Sequence, residues 1–159
     1  MYILGGWAIA NLAVGATGWA RTSGSEMYFH QMNFFWNTIN LGIAGFSFYS
    51  TAQMDPFSMT GQEILDNHLR IENLYLINGG LDIAYMGTGL LLRRLSMNNQ
   101  KRADQLKGYG NAVLLQGGFL FLFDGVMWLV QRNHRLDFLQ DLSLSALPGG
   151  AMLQMNFVF

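Results

Sequence analysis

The sequence predicts an all-α integral membrane protein, a four-helix bundle, and three observations lead to this fold class. Four stretches carry few or no charges, and each reaches the roughly 20 mostly apolar residues that a helix needs to cross the hydrocarbon layer. Charged residues make up only 12% of the 159 residues. The first and third stretches also resemble each other. The four predicted spans are Met1–Ala20, Met27–Met54, Ile71–Leu92 and Gly108–Gln131.

The second stretch argues most directly for lipid as the surrounding medium. Met27–Met54 contains no Asp, Glu, Lys or Arg, whereas a surface helix of a soluble protein carries a charged or polar face. A soluble helical bundle is the alternative. The mean hydropathy of +0.20 is low for a membrane chain because 19 glycines and many side-chain amides dilute it. Met1–Ala20 lacks the basic start of a secretory signal, so we expect it to stay as the first span.

An internal repeat predicts that the bundle is a duplicated two-helix hairpin. Gly5–Ala10 matches Gly79–Ala84 at an offset of 74 residues, and the second and fourth spans match more weakly at an offset of 78. Small residues four apart allow close helix contact. We therefore expect these pairs to hold the two hairpins together, or else to form an oligomer face. The pairs are Gly6 with Ala10 and Gly80 with Ala84.

Basic residues between the predicted spans set the orientation, because cytoplasmic loops of membrane proteins are enriched in Lys and Arg. The first and third loops hold Arg21, Arg93, Arg94, Lys101, Arg102 and Lys107, and the opposite side holds Arg70, Arg132 and Arg135. We therefore expect both termini to lie outside the cytoplasm. A bacterial inner membrane is what the family resemblance described below implies.

The segments outside the spans divide the chain. Residues 1–135 are predicted to form the transmembrane domain and residues 136–159 an extramembrane tail. Thr60–Glu63 fits a capping box, so the third helix should begin there and protrude from the membrane, or break near His68. Met152–Phe159 alternates apolar and polar residues, which predicts a short strand that needs a partner. The alternative is a tail that lies on the surface.

A polar stripe runs along the second span. His30, Asn33, Asn37 and Asn40 are spaced by three, four and three residues, which places them on one helical face. Lipid offers amides no hydrogen-bond partner, so this face must look into the bundle. The stripe is either an amide ladder that fixes helix packing or a polar path or ligand pocket.

Two carboxylates interrupt the third and fourth spans. Asp82 and Asp124 lie at similar predicted depths, so they should be able to meet. An Asp near the bilayer centre costs about 2.5–3.5 kcal/mol on insertion scales, so it needs a partner or a role. Handling of protons or cations is the functional interpretation. In the structural interpretation each carboxyl hydrogen-bonds a neighbour such as Asn78, Tyr85 or Gln116.

Other chemistry finds no support in the sequence. The chain has no cysteine, and its net charge of −1 argues against nucleic acid as a partner. His68 and Glu72 have the i, i+4 spacing of two metal ligands but lack a third nearby, so we predict no metal site. We find no catalytic constellation, and we predict a protein without enzymatic activity and without a cofactor apart from lipid contacts.

Several runs resemble an uncharacterised family of small bacterial four-span membrane proteins. The resemblance covers roughly Tyr2 to Leu136 and implies the same topology, while that family supplies no activity to carry over. The runs are Tyr28–Asn33, Trp36-Asn37, Asn40–Gly45, Gly5–Trp7 and Asn78–Asp82.

Two functions are therefore open. Small size and glycine-rich faces favour a non-enzymatic scaffold or accessory subunit that associates with copies of itself or with other membrane proteins. The alternative is an oligomeric conduit or carrier for protons, cations or a small polar solute, which would use the intramembrane Asp and Asn residues.

Overall fold

Four long helices form the described part of the protein. In the computed structural model, residues 1–53, 55 and 59–145 are described, with side chains up to residue 140. The elements are α1 (Tyr2–Arg21), α2 (Gly24–Ala52), α3 (Gly61–Asn98) and α4 (Ala103–Ser145). No strand occurs among these residues, so the predicted all-α four-helix bundle is confirmed. The strand predicted over Met152–Phe159 lies outside the described residues.

Two antiparallel hairpins build the bundle. α1 packs closely against α2, α3 packs against α4, and α2 packs against α4 where the two hairpins meet. The turn between α1 and α2 is tight, and Gly24 begins α2 with a φ of +61°, a conformation that side chains other than glycine rarely adopt. Gly108 brings α4 against α2, because a Cβ there would collide with the carbonyl of Ser25 and the backbone of Phe29.

Equivalent glycines make the closest contact inside each hairpin. A Cβ on Gly15 would lie 3.1 Å from the carbonyl oxygen of His30 and 3.1 Å from the amide nitrogen of Phe34. A Cβ on Gly89 would lie 2.8 Å from the carbonyl oxygen of Gly110 and 3.0 Å from the amide nitrogen of Leu114. The first and third helices thus correspond at the predicted offset of 74 residues.

The second and fourth helices correspond at an offset of 80 residues, because these contacts align positions 30 and 34 with 110 and 114. The offset of 78 expected from the sequence is therefore two residues short. The matching contacts are what a duplicated hairpin predicts. The shared origin of the two halves stays a prediction.

The predicted contact between the hairpins is wrong for its two glycine pairs. A Cβ on Gly6 or on Gly80 would meet nothing within 4 Å among the described residues. Ala10 and Ala84 are also exposed. These faces look outward because the helices are rotated to turn Gly5, Ala8 and Gly89 inward instead. The alternative use of the exposed pairs, as an oligomer face, stays a prediction.

α3 begins at the predicted capping box. The hydroxyl of Thr60 accepts a hydrogen bond from the Glu63 amide at 3.3 Å, and the Glu63 carboxylate accepts one from the Thr60 amide at 2.7 Å. The Thr60 hydroxyl also donates to the Glu63 carboxylate at 2.8 Å, and the bonds donated by the Thr60 amide and hydroxyl lower the pKa of Glu63. The helix continues through His68 without a break, so the predicted start at Thr60 and the unbroken course are confirmed. Protrusion from a membrane stays a prediction.

α3 and α4 extend beyond the other two helices. Tyr75 and Met127 pack against the core cluster that contains Leu4, near the start of α1. Residues 61–74 and 128–145 therefore continue past that level as a two-helix segment, here named the α3–α4 extension. α4 passes through residue 135 without interruption, so the predicted tail begins inside a helix.

Polarity in the bundle is inverted relative to a water-soluble protein. Seven of the described polar or charged side chains are buried: Asn33, Asn37, Asn40, Glu72, Asp82, Gln116 and Asp124. Large apolar side chains face outward on all four helices, among them Ile3, Ile9, Ile39, Phe46, Ile77, Ile83, Leu122 and Val126. By length and apolar composition, two of the described helices qualify as candidate membrane spans, Tyr2–Arg21 and Ala103–Gln140.

Candidate functional site

A side cavity lies between α2 and α3 and has the two predicted carboxylates in its wall. Its volume is about 340 Å³, and all four helices contribute lining residues. α2 and α3 do not form a closely packed pair over the described residues, and the cavity occupies the space between them. Ile39 on α2 is 64% exposed and Leu81 on α3 is 48% exposed, although both line the cavity. The cavity therefore opens at the side of the bundle.

Asp82 and Asp124 meet in this cavity, as their predicted depths suggested. Their exposed fractions are only 2% and 6%, and the two carboxyl groups lie close enough to share a hydrogen bond. Asp82 Oδ2 is buried and has no hydrogen-bond partner among the described residues. Among the described residues that line the cavity, none is Lys, Arg or His. A proton or a cation between the carboxyls would remove the repulsion between two adjacent negative charges.

Aromatic rings and apolar side chains form most of the remaining wall. Trp36 and Tyr85 close one side through an edge-on contact, with ring centroids 5.0 Å apart and planes at 90°. Tyr75 and Phe123 lie near the carboxyl pair. Within the described part of the chain, Asn40 and Asn78 supply the only amide side chains that line the cavity. Two carboxyl groups in a largely apolar, aromatic wall are typical of a pocket that orients a ligand through a few polar contacts.

Part of the predicted polar stripe serves helix packing instead. Gln116 is completely buried on α4, and its amide nitrogen donates to Asn33 Oδ1 at 2.8 Å. Its oxygen accepts from Trp7 Nε1 at 2.9 Å. Asn37 donates to the carbonyl oxygen of Asn33 at 2.8 Å. Gln116 thus links α1, α2 and α4 through Asn33, whereas the hydrogen bonds of Asn37 stay within α2.

Asn40 connects the ladder with the cavity. It is 4% exposed, lines the cavity, and lies 3.5 Å from Asn37 Oδ1 through its amide nitrogen. Asn78 lines the cavity from α3 and is exposed on its outer side. The predicted cluster therefore divides: Asp82, Asp124, Asn40 and Asn78 come together at the cavity, while Asn33 and Asn37 belong to the amide network.

His30 lies apart from both groups. Its ring packs on Gly18 of α1, where no Cβ would fit, and its Nδ1 is buried without a hydrogen-bond partner among the described residues. The ring also meets Phe29 edge-on at 5.3 Å. His30 does not line the cavity.

His68 and Glu72, which have the spacing of two metal ligands, instead join α3 to α4 near the base of the α3–α4 extension. Arg135 binds Glu72 through two hydrogen bonds, Nε to Oε1 at 2.5 Å and Nη2 to Oε2 at 3.1 Å. His68 Nδ1 hydrogen-bonds the side-chain amide of Gln131. Burial lowers the pKa of His68. The positive charges of His134 and Arg135 lower it further, and the negative charge of Glu72 acts in the opposite direction. The described residues hold no group of three or more possible metal ligands.

Sequence reasoning missed several residues of the site. Trp36 and Tyr75 gave no separate signal, because an aromatic residue in a membrane span is usually a packing residue. The pairing of Glu72 with Arg135 was also missed, since the two residues are 63 positions apart. A carboxylate at a buried helix position and a guanidinium at the matching height of an antiparallel partner would have been the signal.

Comparison with known proteins identifies the family. The chain belongs to the family of unknown function DUF6992, whose model matches residues 3–125. The match includes both Asp82 and Asp124. No curated protein matches the chain, and no solved structure matches it.

Proposed function

We propose that this protein is integral to a membrane and that all four helices cross the bilayer. The support is the inverted polarity of the bundle, with amides and carboxylates inside and Ile, Leu and Phe outside. Such an apolar surface would promote aggregation in water, whereas in lipid it is the favoured surface. The proposal includes a bacterial inner membrane, with both termini and the α3–α4 extension outside the cytoplasm.

The absence of native cysteine makes the topology directly measurable. Single cysteines introduced by Ser23→Cys and Asn99→Cys mark one side of the membrane, and Gly61→Cys marks the other. In intact spheroplasts a membrane-impermeant maleimide should label only the Gly61→Cys variant. Equal labelling of all three, or recovery of the protein in detergent-free buffer as a monodisperse species, would contradict four spans.

We propose further that the protein binds and transfers a proton or cation at Asp82 and Asp124, without enzymatic chemistry. One observation carries this proposal: a carboxyl group that is 2% exposed lines a cavity, and its Oδ2 atom lacks a hydrogen-bond partner among the described residues. Ionisable groups inside a membrane bundle are costly and mark ion or proton pathways. Because of the cavity, we favour this function over the scaffold role that the sequence alone favoured.

Reconstituted vesicles test the transfer. Asp82→Asn and Asp124→Asn should each reduce proton or cation flux at least about tenfold, because an amide cannot exchange a proton or neutralise a cation. Asp66→Asn removes one exposed carboxylate outside the cavity and should leave the flux unchanged. Circular dichroism and gel filtration in detergent establish that the variants fold. Flux that is the same in both cavity variants as in the wild type would refute the proposal.

A scaffold or accessory subunit is the second candidate, and the open glycine faces favour it. Gly6 and Gly80 leave room for another helix, either from a second copy or from another membrane protein. Gly6→Leu and Gly80→Leu should then shift native mass spectra of the detergent-solubilised protein from oligomer to monomer. Gly61→Ala, in the exposed first turn of α3, is the matched control. A wild-type protein that is monomeric in native membranes would count against this role.

A further inference from the structure

We propose that the side cavity binds an organic ammonium ion that carries an apolar chain and enters from the lipid phase. The inference rests on the proposed function, because it takes the carboxyl pair to be a cation site and names the class of cation. Four features of the cavity carry it: its unsatisfied carboxylate, its aromatic wall, its size and the position of its mouth.

The carboxyl pair requires a positive or hydrogen-bond-donating ligand. Asp82 Oδ2 is buried, unpartnered among the described residues, and part of a residue that lines the cavity. Asp124 lies beside it, and no basic side chain in the described part of the chain lines the cavity. A protonated amine has several N–H donors and one positive charge, so it can satisfy both carboxyl groups at once.

The wall favours an organic cation over a bare metal ion. Hard metal ions take six or more oxygen ligands, whereas the described residues supply two carboxyls and two amides in a mostly apolar lining. Trp36, Tyr75 and Tyr85 present aromatic rings, whose faces attract ammonium groups. Aromatic rings combined with carboxylates are the chemistry that recognises organic ammonium ions.

The position of the cavity mouth indicates how the ligand enters and where its apolar chain lies. Ile39, Ile43 and Leu81 border the cavity and are 64%, 52% and 48% exposed at the side of the bundle. In a bilayer this side faces acyl chains. A ligand with an alkyl chain can therefore place its ammonium group at the carboxyls while the chain lies along the apolar rim. A volume of about 340 Å³ falls at the lower end of the range of small-molecule pockets.

Octylammonium and the uncharged octanol form a matched pair of probes. The full chain is placed in nanodiscs of zwitterionic phosphatidylcholine, and binding is followed by calorimetry and by tryptophan fluorescence. Octylammonium should bind saturably and change the fluorescence, and Trp36→Phe should remove the fluorescence change because Trp36 is the one tryptophan that lines the cavity among the described residues. Octanol should bind at least about tenfold more weakly.

Three variants of the cavity and one control variant test the inference. Asp82→Asn and Asp124→Asn should each weaken octylammonium binding at least about tenfold, while Asp66→Asn should leave it unchanged. Ile39→Trp keeps both carboxyls and blocks the mouth from an exposed position, so it should weaken binding even if the Asp variants fail to fold. Equal affinity for octanol, unchanged binding in the folded Asp variants, or unchanged binding in Ile39→Trp would each overturn the inference.

Failure of this inference differs from failure of the proposed function. Asp-dependent proton or cation flux without Asp-dependent octylammonium binding would refute the organic ligand and leave the transfer of small ions standing. Asp-dependent octylammonium binding without any flux would support the inference and reduce the proposed function to binding.

Discussion

The two hairpins differ most at the position where their helices are otherwise equivalent. The offsets of 74 and 80 residues align Ala8 with Asp82 and Ala44 with Asp124. Ala8 and Ala44 are 0% and 1% exposed, and a Cβ on Gly5 would lie 3.8 Å from the Ala44 methyl group. The first hairpin is therefore closed by small residues at the level where the second carries two carboxyl groups.

This difference places both carboxyl groups of the candidate site on the second hairpin, while helices of both hairpins line the cavity. At this level, two methyl groups allow α1 and α2 to pack closely without a polar requirement. Two ionised carboxyl groups repel each other, so the pair needs a shared proton or a cation, and the space beside it stays open. One pair of positions in a repeated framework thus accounts for both the charge and the asymmetry of the candidate site.

The largest expected effect on stability comes from placing a carboxyl group of the second hairpin at the equivalent position of the first. Ala44→Asp should destabilise the protein by about 3 kcal/mol or more, because it buries an unpaired carboxyl and overpacks a closed contact. The converse change, Asp124→Ala, should leave the stability equal to or above that of the wild type. Unfolding in mixed detergent micelles measures both. A tolerated Ala44→Asp would break the comparison.

The next largest loss of stability is expected at the glycines that bring the two helices of each hairpin into close contact. Gly89→Ala should cost about 1–3 kcal/mol, because its new Cβ would lie 2.8 Å from a carbonyl oxygen that cannot move independently of α4. Gly15→Ala should cost less, since its nearest contacts are 3.1 Å away. Gly6→Ala faces open space and is the control, for which we expect no loss. The same unfolding assay gives all three, and equal losses at the three positions would contradict the assigned contacts.

A smaller effect is expected at the amide network that joins the hairpins. Gln116→Leu removes the hydrogen bonds to Trp7 and Asn33, and hydrogen bonds between membrane helices contribute about 0.6 kcal/mol each on average. We therefore expect a loss of about 1 kcal/mol. Tyr109→Phe is the control, because it removes the single hydrogen bond to Gln31 at 2.7 Å. A loss no greater than that of the control would show that Gln116 is not a centre of the network.

The smallest expected effect is a pH dependence confined to the second hairpin. Burial lowers the pKa of His68 below its ordinary 6.5, so the unfolded state binds the proton more readily than the folded state. Stability should be complete above pH 6.5 and fall as the pH drops through the lower pKa of the folded protein. His68→Gln should flatten this part of the profile. An unchanged profile in the variant would assign the dependence to another group.

Much of the fold could be predicted from the sequence, whereas helix rotation could not. Length, low charge and the capping box at Thr60 fixed the helices, because these are local properties of the chain. The inward side of α1 was assigned wrongly, since Gly5 and Gly6 are equivalent as small residues and only tertiary packing distinguishes them. The contact between Asp82 and Asp124 could be predicted from their similar depths along the helices. The aromatic wall of the cavity could not, because it depends on how all four helices are placed beside one another.

Because α3 is unbroken, a small tilt at one end of the helix would displace its other end. One rod carries Asp82 inside the bundle and Gly61 at its far tip, about 32 Å away at 1.5 Å per residue. A tilt of about 5° at the carboxyl would displace the tip by about 3 Å. The Glu72–Arg135 ion pair ties α3 to α4 between these two positions, so the two helices of the extension would have to move together.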